Sequence, residues 1–166
     1  MSDNEFVIIA CSAKKLKTDK AVPAAELYQG ALFKAQLAFA RQVMGVPDPR
    51  ILILSAWYGL MRSDAMIRPY DHSLNKMRIQ ARRSWAMRVA YTLGIVTGIS
   101  GSLLDRVYVM GGKLYRQPIE EALAFFSADV ITLHPDGLGY AQQVAWYKAR
   151  VDEAAAWNKS QAQEMA

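Results

Sequence analysis

The residues best suited to chemistry in this sequence lie in four short segments, each of which follows an apolar, strand-like run. The longest of these segments carries a hydroxyl at Ser55, phenols at Tyr58 and Tyr70, a glycine at Gly59 and a carboxylate at Asp71. Open α/β sheets commonly bind ligands where a buried strand ends in a polar loop that contains glycine. The segment therefore predicts a site, although its residues do not specify one chemistry.

Asp71 is the strongest candidate for a general base or a water-positioning group. It also lies just before Ser73, so it could equally help to cap the helix that follows, and both roles can coexist. Tyr58 and Tyr70 could stack on a base or a sugar. Gly59 permits a positive φ or the close approach of a ligand.

The segment after the first apolar run contains Cys11, Ser12, Lys14 and Lys15. A hydroxyl and ammonium groups at this position could hold a phosphate or a carboxylate, but the glycines of a phosphate-binding P-loop are missing. Cys11 would be a nucleophile only with a base nearby, and the alternative is a small buried residue at a strand end. For the lysines, the alternative is a solvated loop.

The third segment carries Gly111 and Gly112 between a strand and a helix, followed by Arg116. Backbone amides of adjacent glycines can face an anion at a helix N-terminus, and an arginine can bind phosphate or carboxylate in a bidentate manner. A tight turn between a strand and a helix needs glycine in any case. The fourth segment offers His134, an acid or base candidate that is more often a structural hydrogen-bonding residue at such a place.

A basic helix provides a different kind of candidate surface. Arg78 and Arg82 are four residues apart and share a face, with Arg83 and Trp85 close by. These arginines could contact a phosphate backbone. A solvated basic face above an apolar helix stripe is the alternative explanation.

Alternating strands and helices must position these segments. Apolar runs predict strands at 6–10, 50–54, 106–110 and 130–133, and helical spacing predicts helices at 24–44, 73–92, 115–126 and 140–157. Glycines and a serine, Gly98, Gly101 and Ser102, end the second helix or form the turn after it. This order indicates a single three-layer α/β domain with a mostly parallel central sheet of four strands or slightly more and helices on both faces. Right-handed crossovers place the segments after all four strands at one edge of that sheet. The domain covers residues 1–157, and residues 158–166 form a polar, flexible tail.

Composition limits the class of protein. The chain has 166 residues, 52% of them hydrophobic, and a formal charge of +5 from 20 basic and 15 acidic residues. It is therefore globular, and its basic balance permits an anionic partner without requiring one. One cysteine and two histidines exclude an internal disulfide and a rich metal site, so we expect no metal and no cofactor. No signal peptide or membrane span is apparent, which predicts a cytoplasmic protein.

The candidate residues recur in a familiar order. The motifs are CSAKK at 11–15, AELY at 25–28, LSAWYGL at 54–60, IRPYD at 67–71, GGKLYR at 111–116 and GLGYAQQVAW at 137–146. In this order they resemble the DUF6884 family, small proteins similar to part of the peroxide-stress protein YaaA, over most of the chain. The resemblance implies an association with DNA and with limiting its oxidative damage. By analogy it also implies an α/β fold of the uracil-DNA-glycosylase type.

The leading hypothesis is action on a nucleobase or nucleotide in DNA, with cleavage of the N-glycosidic bond of a modified or damaged base as its concrete form. The alternatives are a non-catalytic DNA-binding or oxidative-stress module of the YaaA type and a binder of free nucleotides. The partner is DNA or a nucleotide, and the oligomeric state stays open. The catalytic candidates are Asp71, Ser12 and Tyr58, and the nucleic-acid surface is Arg78, Arg82 and Arg83. The binding candidates are Cys11, Lys14, Lys15, Tyr28, Ser55, Gly59, Tyr70, Gly111, Gly112, Tyr115 and Arg116.

Overall fold

Strands and helices alternate through the computed structural model, which describes residues 5–96, 106–124 and 129–164. The strands in these ranges are β1 (Glu5–Ala10), β2 (Val22–Pro23), β3 (Ile51–Ser55), β4 (Gly59–Arg62), β5 (Met66–Ile67), β6 (Arg106–Met110) and β7 (Asp129–Ile131). The α-helices are α1 (Ala24–Leu27), α2 (Ala31–Gln42), α3 (Ile79–Val96), α4 (Lys113–Leu123) and α5 (Tyr140–Glu164). Short 3-10 turns occupy Asp48–Arg50 and Leu74–Lys76.

A central sheet of five strands has the order β4-β3-β1-β6-β7. Strand β1 pairs in parallel with β3 on one side and β6 on the other, and β6 pairs in parallel with β7. Strand β4 runs antiparallel to β3 at the edge. The expected α/β class with a mostly parallel sheet is therefore confirmed, with five strands in the sheet.

Strand β1 is buried along its whole length because it lies in the middle of the sheet. Successive side chains of a strand point to opposite faces. Accordingly, Phe6 and Ile8 belong to one hydrophobic cluster with residues of α3 and α4, including Trp85 and Ile119. Val7 and Ile9 belong to a second cluster with residues of α1, α2 and α5. This two-sided burial explains why the sequence reads as a continuous apolar run rather than an alternating one.

The sequence patterns predict neither strand β4 nor the small sheet formed by β2 and β5. Gly59 has φ of 76°, a conformation that glycine adopts easily. It turns the chain back so that Leu60 pairs with Leu54 of β3. The expected positive φ at Gly59 is therefore present, and it starts a hairpin strand.

The prediction of one helix over 24–44 is wrong, because the chain leaves the helix at Tyr28. Tyr28 is extended, with φ of −84° and ψ of 118°, and forms an isolated β-bridge with Lys15. Helix α2 begins only after Gly30, where an added Cβ would lie 2.5 Å from the Cβ of Ser12. The bridge between Lys15, in the segment after β1, and Tyr28 therefore interrupts the predicted helix.

The remaining boundaries shift by a few residues. Ser73 is a cap as expected, but its hydroxyl accepts a hydrogen bond from Asn75 N at 3.3 Å in a 3-10 turn, and α3 starts later. Helix α4 begins two residues before the predicted start at Tyr115, and the predicted turn at Gly98, Gly101 and Ser102 lies outside the described residues.

The last helix, α5, continues to Glu164, beyond the predicted end at Trp157. It packs on α2 through aromatic contacts in which the ring of Phe39 lies 5.7 Å from that of Trp146 and 5.3 Å from that of Tyr147. Within the described ranges, no helix is both long enough and apolar enough to cross a membrane.

Candidate functional site

A pocket of about 620 Å³ opens at the carboxyl ends of β1 and β6. Its walls come from the segments after those two strands, from the start of α2 and from the start of α5. The segments after β1 and β6 therefore meet at one edge of the sheet, as parallel pairing requires. Six lining residues were candidates from the sequence: Cys11, Ser12, Lys14, Gly111, Gly112 and Tyr115.

A cluster of hydroxyl groups surrounds the thiol of Cys11. The Tyr115 hydroxyl lies 3.4 Å from Cys11 Sγ, and the Tyr70 hydroxyl lies 3.6 Å from it. The Tyr70 hydroxyl also hydrogen-bonds Ser55 Oγ at 2.7 Å and the Tyr28 hydroxyl at 3.0 Å. We call these five residues the Cys11 hydroxyl cluster. It ties together the ends of β1 and β3 and the start of α4.

Burial moves the ionisation of the tyrosines of this cluster further into the alkaline range by raising the pKa of each. It raises the pKa of Tyr28 to about 12. It also raises the pKa of Tyr70 and of Tyr115 well above the usual range, and the neighbouring Cys11 adds to both shifts. A neutral phenol donates and accepts hydrogen bonds but does not abstract protons. The three tyrosines of the cluster therefore place polar, neutral hydroxyl groups beside the pocket.

Two serine candidates are already engaged within the protein. Ser55 is fully buried, and its hydroxyl accepts hydrogen bonds from Trp57 N at 3.1 Å and Tyr58 N at 3.0 Å. Ser12 donates to Lys14 O at 2.7 Å and accepts from Gly30 N at 3.0 Å. Both hydroxyls hold the turns that follow their strands.

The two lysines after β1 have different surroundings. Lys14 is exposed and lines the pocket. Lys15 folds over the hydroxyl cluster, with Nζ 4.3 Å from the ring centroid of Tyr70 and 5.9 Å from that of Tyr28. A cation above an aromatic face at this distance is attracted to the ring. Only Lys14 of the pair therefore faces the pocket.

Three candidates of the segment after β3 lie away from the pocket. Asp71 is exposed and is not among the pocket residues. Tyr58 donates a hydrogen bond to Arg68 O at 3.1 Å and meets Tyr70 edge-on at 5.4 Å. Tyr58 and Gly59 line a separate pocket of about 240 Å³. Tyr58 and Gly59 therefore lie outside the pocket at the ends of β1 and β6.

The arginine candidates also lie outside the pocket. Arg116 donates to Thr132 Oγ1 at 2.9 Å, and its Nε lies 3.1 Å from Glu120 Oε1. It joins α4 to the segment after β7. Arg82 and Arg83 line a groove of about 530 Å³ between α3 and α4, and Arg78 is exposed just before α3.

The sequence interpretation missed the amide side chains of the pocket. Gln36 is only 1% exposed, yet its Nε2 has no hydrogen-bond partner among the described residues. Gln143 Oε1 is likewise buried and unpartnered, although Gln143 Nε2 donates to Leu138 O at 2.8 Å. Both side chains line the pocket, together with Phe33 and Tyr140. The available signal was the position of Gln36, three residues after Phe33 on the buried face of α2.

Gln36 also lies next to Tyr147, whose hydroxyl has no hydrogen-bond partner among the described residues. Burial raises the pKa of Tyr147 to about 12, and the adjacent Gln36 side chain opposes part of that shift. Buried polar groups without partners are rare in native proteins. Of these side chains, Gln36 and Gln143 line the pocket and give its wall two amide groups.

Across residues 5–96, 106–124 and 129–164, no group of three or more His, Cys, Asp or Glu side chains is arranged to hold a metal ion.

The family described as DUF6884, a family of unknown function, matches residues 6–149. No curated protein matches the chain.

Proposed function

Because this chain belongs to the DUF6884 family, whose function is unknown, we propose a function from the site itself: the pocket binds a nucleotide unit of a nucleic acid. The single observation that carries this proposal is a pocket wall in which the amide side chains of Gln36 and Gln143 lie beside aromatic rings. We propose that the chain forms a single three-layer α/β domain around this pocket.

The polar groups of the wall suit the edge of a nucleobase. Gln36 and Gln143 place two amide side chains in the wall, and Gln143 Oε1 has no hydrogen-bond partner among the described residues. Every nucleobase presents acceptors and donors side by side on its edges, and protein amides commonly bind such pairs. Tyr115 and Tyr140 supply rings on which a base can stack. The volume of about 620 Å³ is ordinary for a small-molecule site.

Anion-binding groups lie at the same edge of the sheet. Lys14 supplies an ammonium group, and Gly111 and Gly112 precede α4 at the pocket wall. Backbone amides at a helix N-terminus favour phosphate oxygens. A base against the amide wall would therefore have cationic and backbone donors available for its phosphate.

Cleavage of an N-glycosidic bond is a reaction that such binding would allow. It requires a carboxylate or a similar group to position water. The described pocket residues include no carboxylate, so the geometry supports binding more directly than it supports this reaction. Asp71 is the residue to test, because it adjoins Tyr70 of the Cys11 hydroxyl cluster.

A second candidate function is a non-catalytic DNA-binding module of the YaaA type. The arginines beside α4 favour it, because Arg82 and Arg83 line one groove. This candidate predicts nucleic-acid binding without any product.

The test is a calorimetric screen of the purified protein against nucleosides and nucleoside monophosphates of DNA and RNA. We expect Gln36→Leu to weaken the binding of a nucleotide by about tenfold or more, since one buried hydrogen bond contributes about 1–1.5 kcal/mol. Gln42→Leu, an exposed change on the same helix, is the matched control. Mass spectrometry of the mixtures would reveal a released base, whose loss in Asp71→Asn would identify a glycosidic enzyme.

Two outcomes would overturn the proposal. One is a wild-type protein that binds none of these nucleotides at millimolar concentration. The other is a Gln36→Leu protein that is folded and binds them as the wild type does. Thermal unfolding of both variants shows whether a lost affinity reflects a lost fold.

A further inference from the structure

A second groove lies directly beside the nucleotide pocket. It has a volume of about 530 Å³ and runs between α3 and α4, where Arg82, Arg83 and Lys113 line it. Its apolar walls are Ile79 and Leu114. The sequence interpretation included the two arginines but not Lys113.

The side chains that line this groove carry a net positive charge. In the described part of the chain, Arg82, Arg83 and Lys113 form no salt bridge with a carboxylate. The groove contains one acidic side chain, Glu121, which accepts a hydrogen bond from Gln117 Nε2 at 3.1 Å. Three cations against one carboxylate make the groove a favourable place for an anion with several charges.

The groove and the pocket share a wall. Leu114 lines both cavities, and the successive residues Gly112 and Lys113 line the pocket and the groove respectively. The two cavities therefore flank the first turn of α4. If the pocket holds one unit of a polymeric ligand, the adjacent units of that ligand are within reach of the groove.

We propose that the partner is a single-stranded polynucleotide, with one nucleotide in the pocket and the phosphates of its neighbours against Arg82, Arg83 and Lys113. The proposal rests on the nucleotide pocket proposed above, and it adds the path of the strand. Contiguity with a pocket of base size favours a polynucleotide over an acidic protein. A single strand is favoured because a base in a duplex must first be unstacked and unpaired, which costs a few kcal/mol.

The test compares a nucleoside monophosphate with short, fluorescein-labelled oligonucleotides of mixed sequence, as single strands and as duplexes. Binding is measured over a range of salt concentrations. The wild type should bind the single strand more tightly than either the mononucleotide or the duplex. The triple variant Arg82→Gln, Arg83→Gln, Lys113→Gln should bind the single strand at least about tenfold more weakly at moderate salt. Its slope of log K against log salt should decrease by about 2, since each phosphate contact on a single strand contributes about 0.7.

The mononucleotide separates the two proposals. Its affinity should be unchanged in the triple variant, because the three side chains lie outside the pocket. The control is Lys34→Gln, Lys148→Gln, Lys159→Gln, which removes the same charge from exposed positions on α2 and α5. The control should retain the wild-type slope.

Several results would overturn the strand path. They are equal wild-type affinity for mononucleotide and single strand, preference for the duplex, or the same salt slope in the triple variant and its control. If mononucleotide binds but length has no effect, the pocket stands and the groove proposal fails. If neither ligand binds, the proposed function itself fails.

Discussion

At the scale of single residues, the hydroxyl of Tyr70 is the centre of the Cys11 hydroxyl cluster. It contacts groups that come from three different parts of the chain: Ser55 Oγ, the Tyr28 hydroxyl and Cys11 Sγ. Removal of one partner from a buried hydrogen bond leaves the other partner unsatisfied, which is more costly than the loss of the bond alone. The cluster is therefore sensitive to the loss of a single oxygen atom.

Tyr70→Phe should lower the free energy of unfolding by about 1–3 kcal/mol, because Ser55 and Tyr28 lose a partner in a buried setting. Chemical denaturation measures this change. The matched control is Tyr91→Phe, which removes a hydroxyl from a tyrosine that is 68% exposed. That control should stay within about 0.5 kcal/mol of the wild type. Equal stability of the two variants would show that the cluster contributes nothing to the fold.

The buried tyrosines also predict a loss of stability at alkaline pH. Burial raises the pKa of Tyr28 to about 12, whereas an unfolded tyrosine ionises near 10. Below about pH 10 both states keep the proton, so the free energy of unfolding does not change with pH through this group. As pH rises from about 10 to 12 the unfolded state loses the proton first, and the free energy of unfolding falls by at most about 1.4 kcal/mol per pH unit for each such group.

The measurement is urea denaturation across this alkaline range. Burial raises the pKa of Tyr28, Tyr70, Tyr115 and Tyr147. The fall should be shallower in Tyr28→Phe than in Tyr91→Phe, because the first variant removes a phenol whose pKa is raised in the folded state. Parallel curves for the two variants would contradict the assignment.

At the scale of elements, the turn between β6 and α4 depends on a close approach of the Gly111 backbone to the side chain of Ala10. A Cβ added at Gly111 would lie 2.8 Å from the Cβ of Ala10 at the end of β1. Ala10, Gly111 and Gly112 all line the pocket, so this element boundary shapes the site.

Gly111→Ala should destabilise the protein by about 1–3 kcal/mol, since β1 and α4 would have to separate to admit the methyl group. Gly94→Ala is the contrasting control, because Gly94 lies inside α3 with nothing within 4 Å of the added Cβ. That change should stabilise the protein by about 0.5–1 kcal/mol by restricting the unfolded chain. Thermal denaturation of both variants distinguishes the two signs. A neutral Gly111→Ala would mean that the turn relaxes freely.

At the scale of the whole molecule, α5 extends beyond the part that packs on the rest of the protein. Trp146 and Tyr147 contact Phe39 of α2, whereas Trp157 is exposed and the residues directly after it are exposed as well. A helix whose side chains face water receives little stability from tertiary packing. The stable domain therefore need not include the last turns of α5.

Deletion of residues 158–166 should leave the free energy of unfolding within about 0.5 kcal/mol of the full chain, because it removes little buried surface. The measurement is chemical denaturation of the two lengths of protein. It also tests the boundary at residue 157 expected from the sequence. A loss of several kcal/mol would place the end of α5 inside the folded domain.

The sequence by itself determined four of the five strands of the central sheet. Apolar runs rich in β-branched residues predicted β1, β3, β6 and β7 to within a few residues. Their alternation with helices implied parallel pairing and brought the segments after β1 and β6 to one edge. These features depend on local composition and period, which the sequence contains directly.

Only the tertiary structure decided which of the candidate side chains share a cavity. Asp71 and Tyr58 follow the right strand but lie outside the pocket, whereas Gln36 sits inside a helix and lines it. The helix breaks at Tyr28 because Tyr28 pairs with Lys15, thirteen residues earlier in the sequence. The helical spacing of apolar residues does not indicate such a pairing. The physical reason is that side-chain direction at a strand end depends on long-range packing, and packing is not a local property of the sequence.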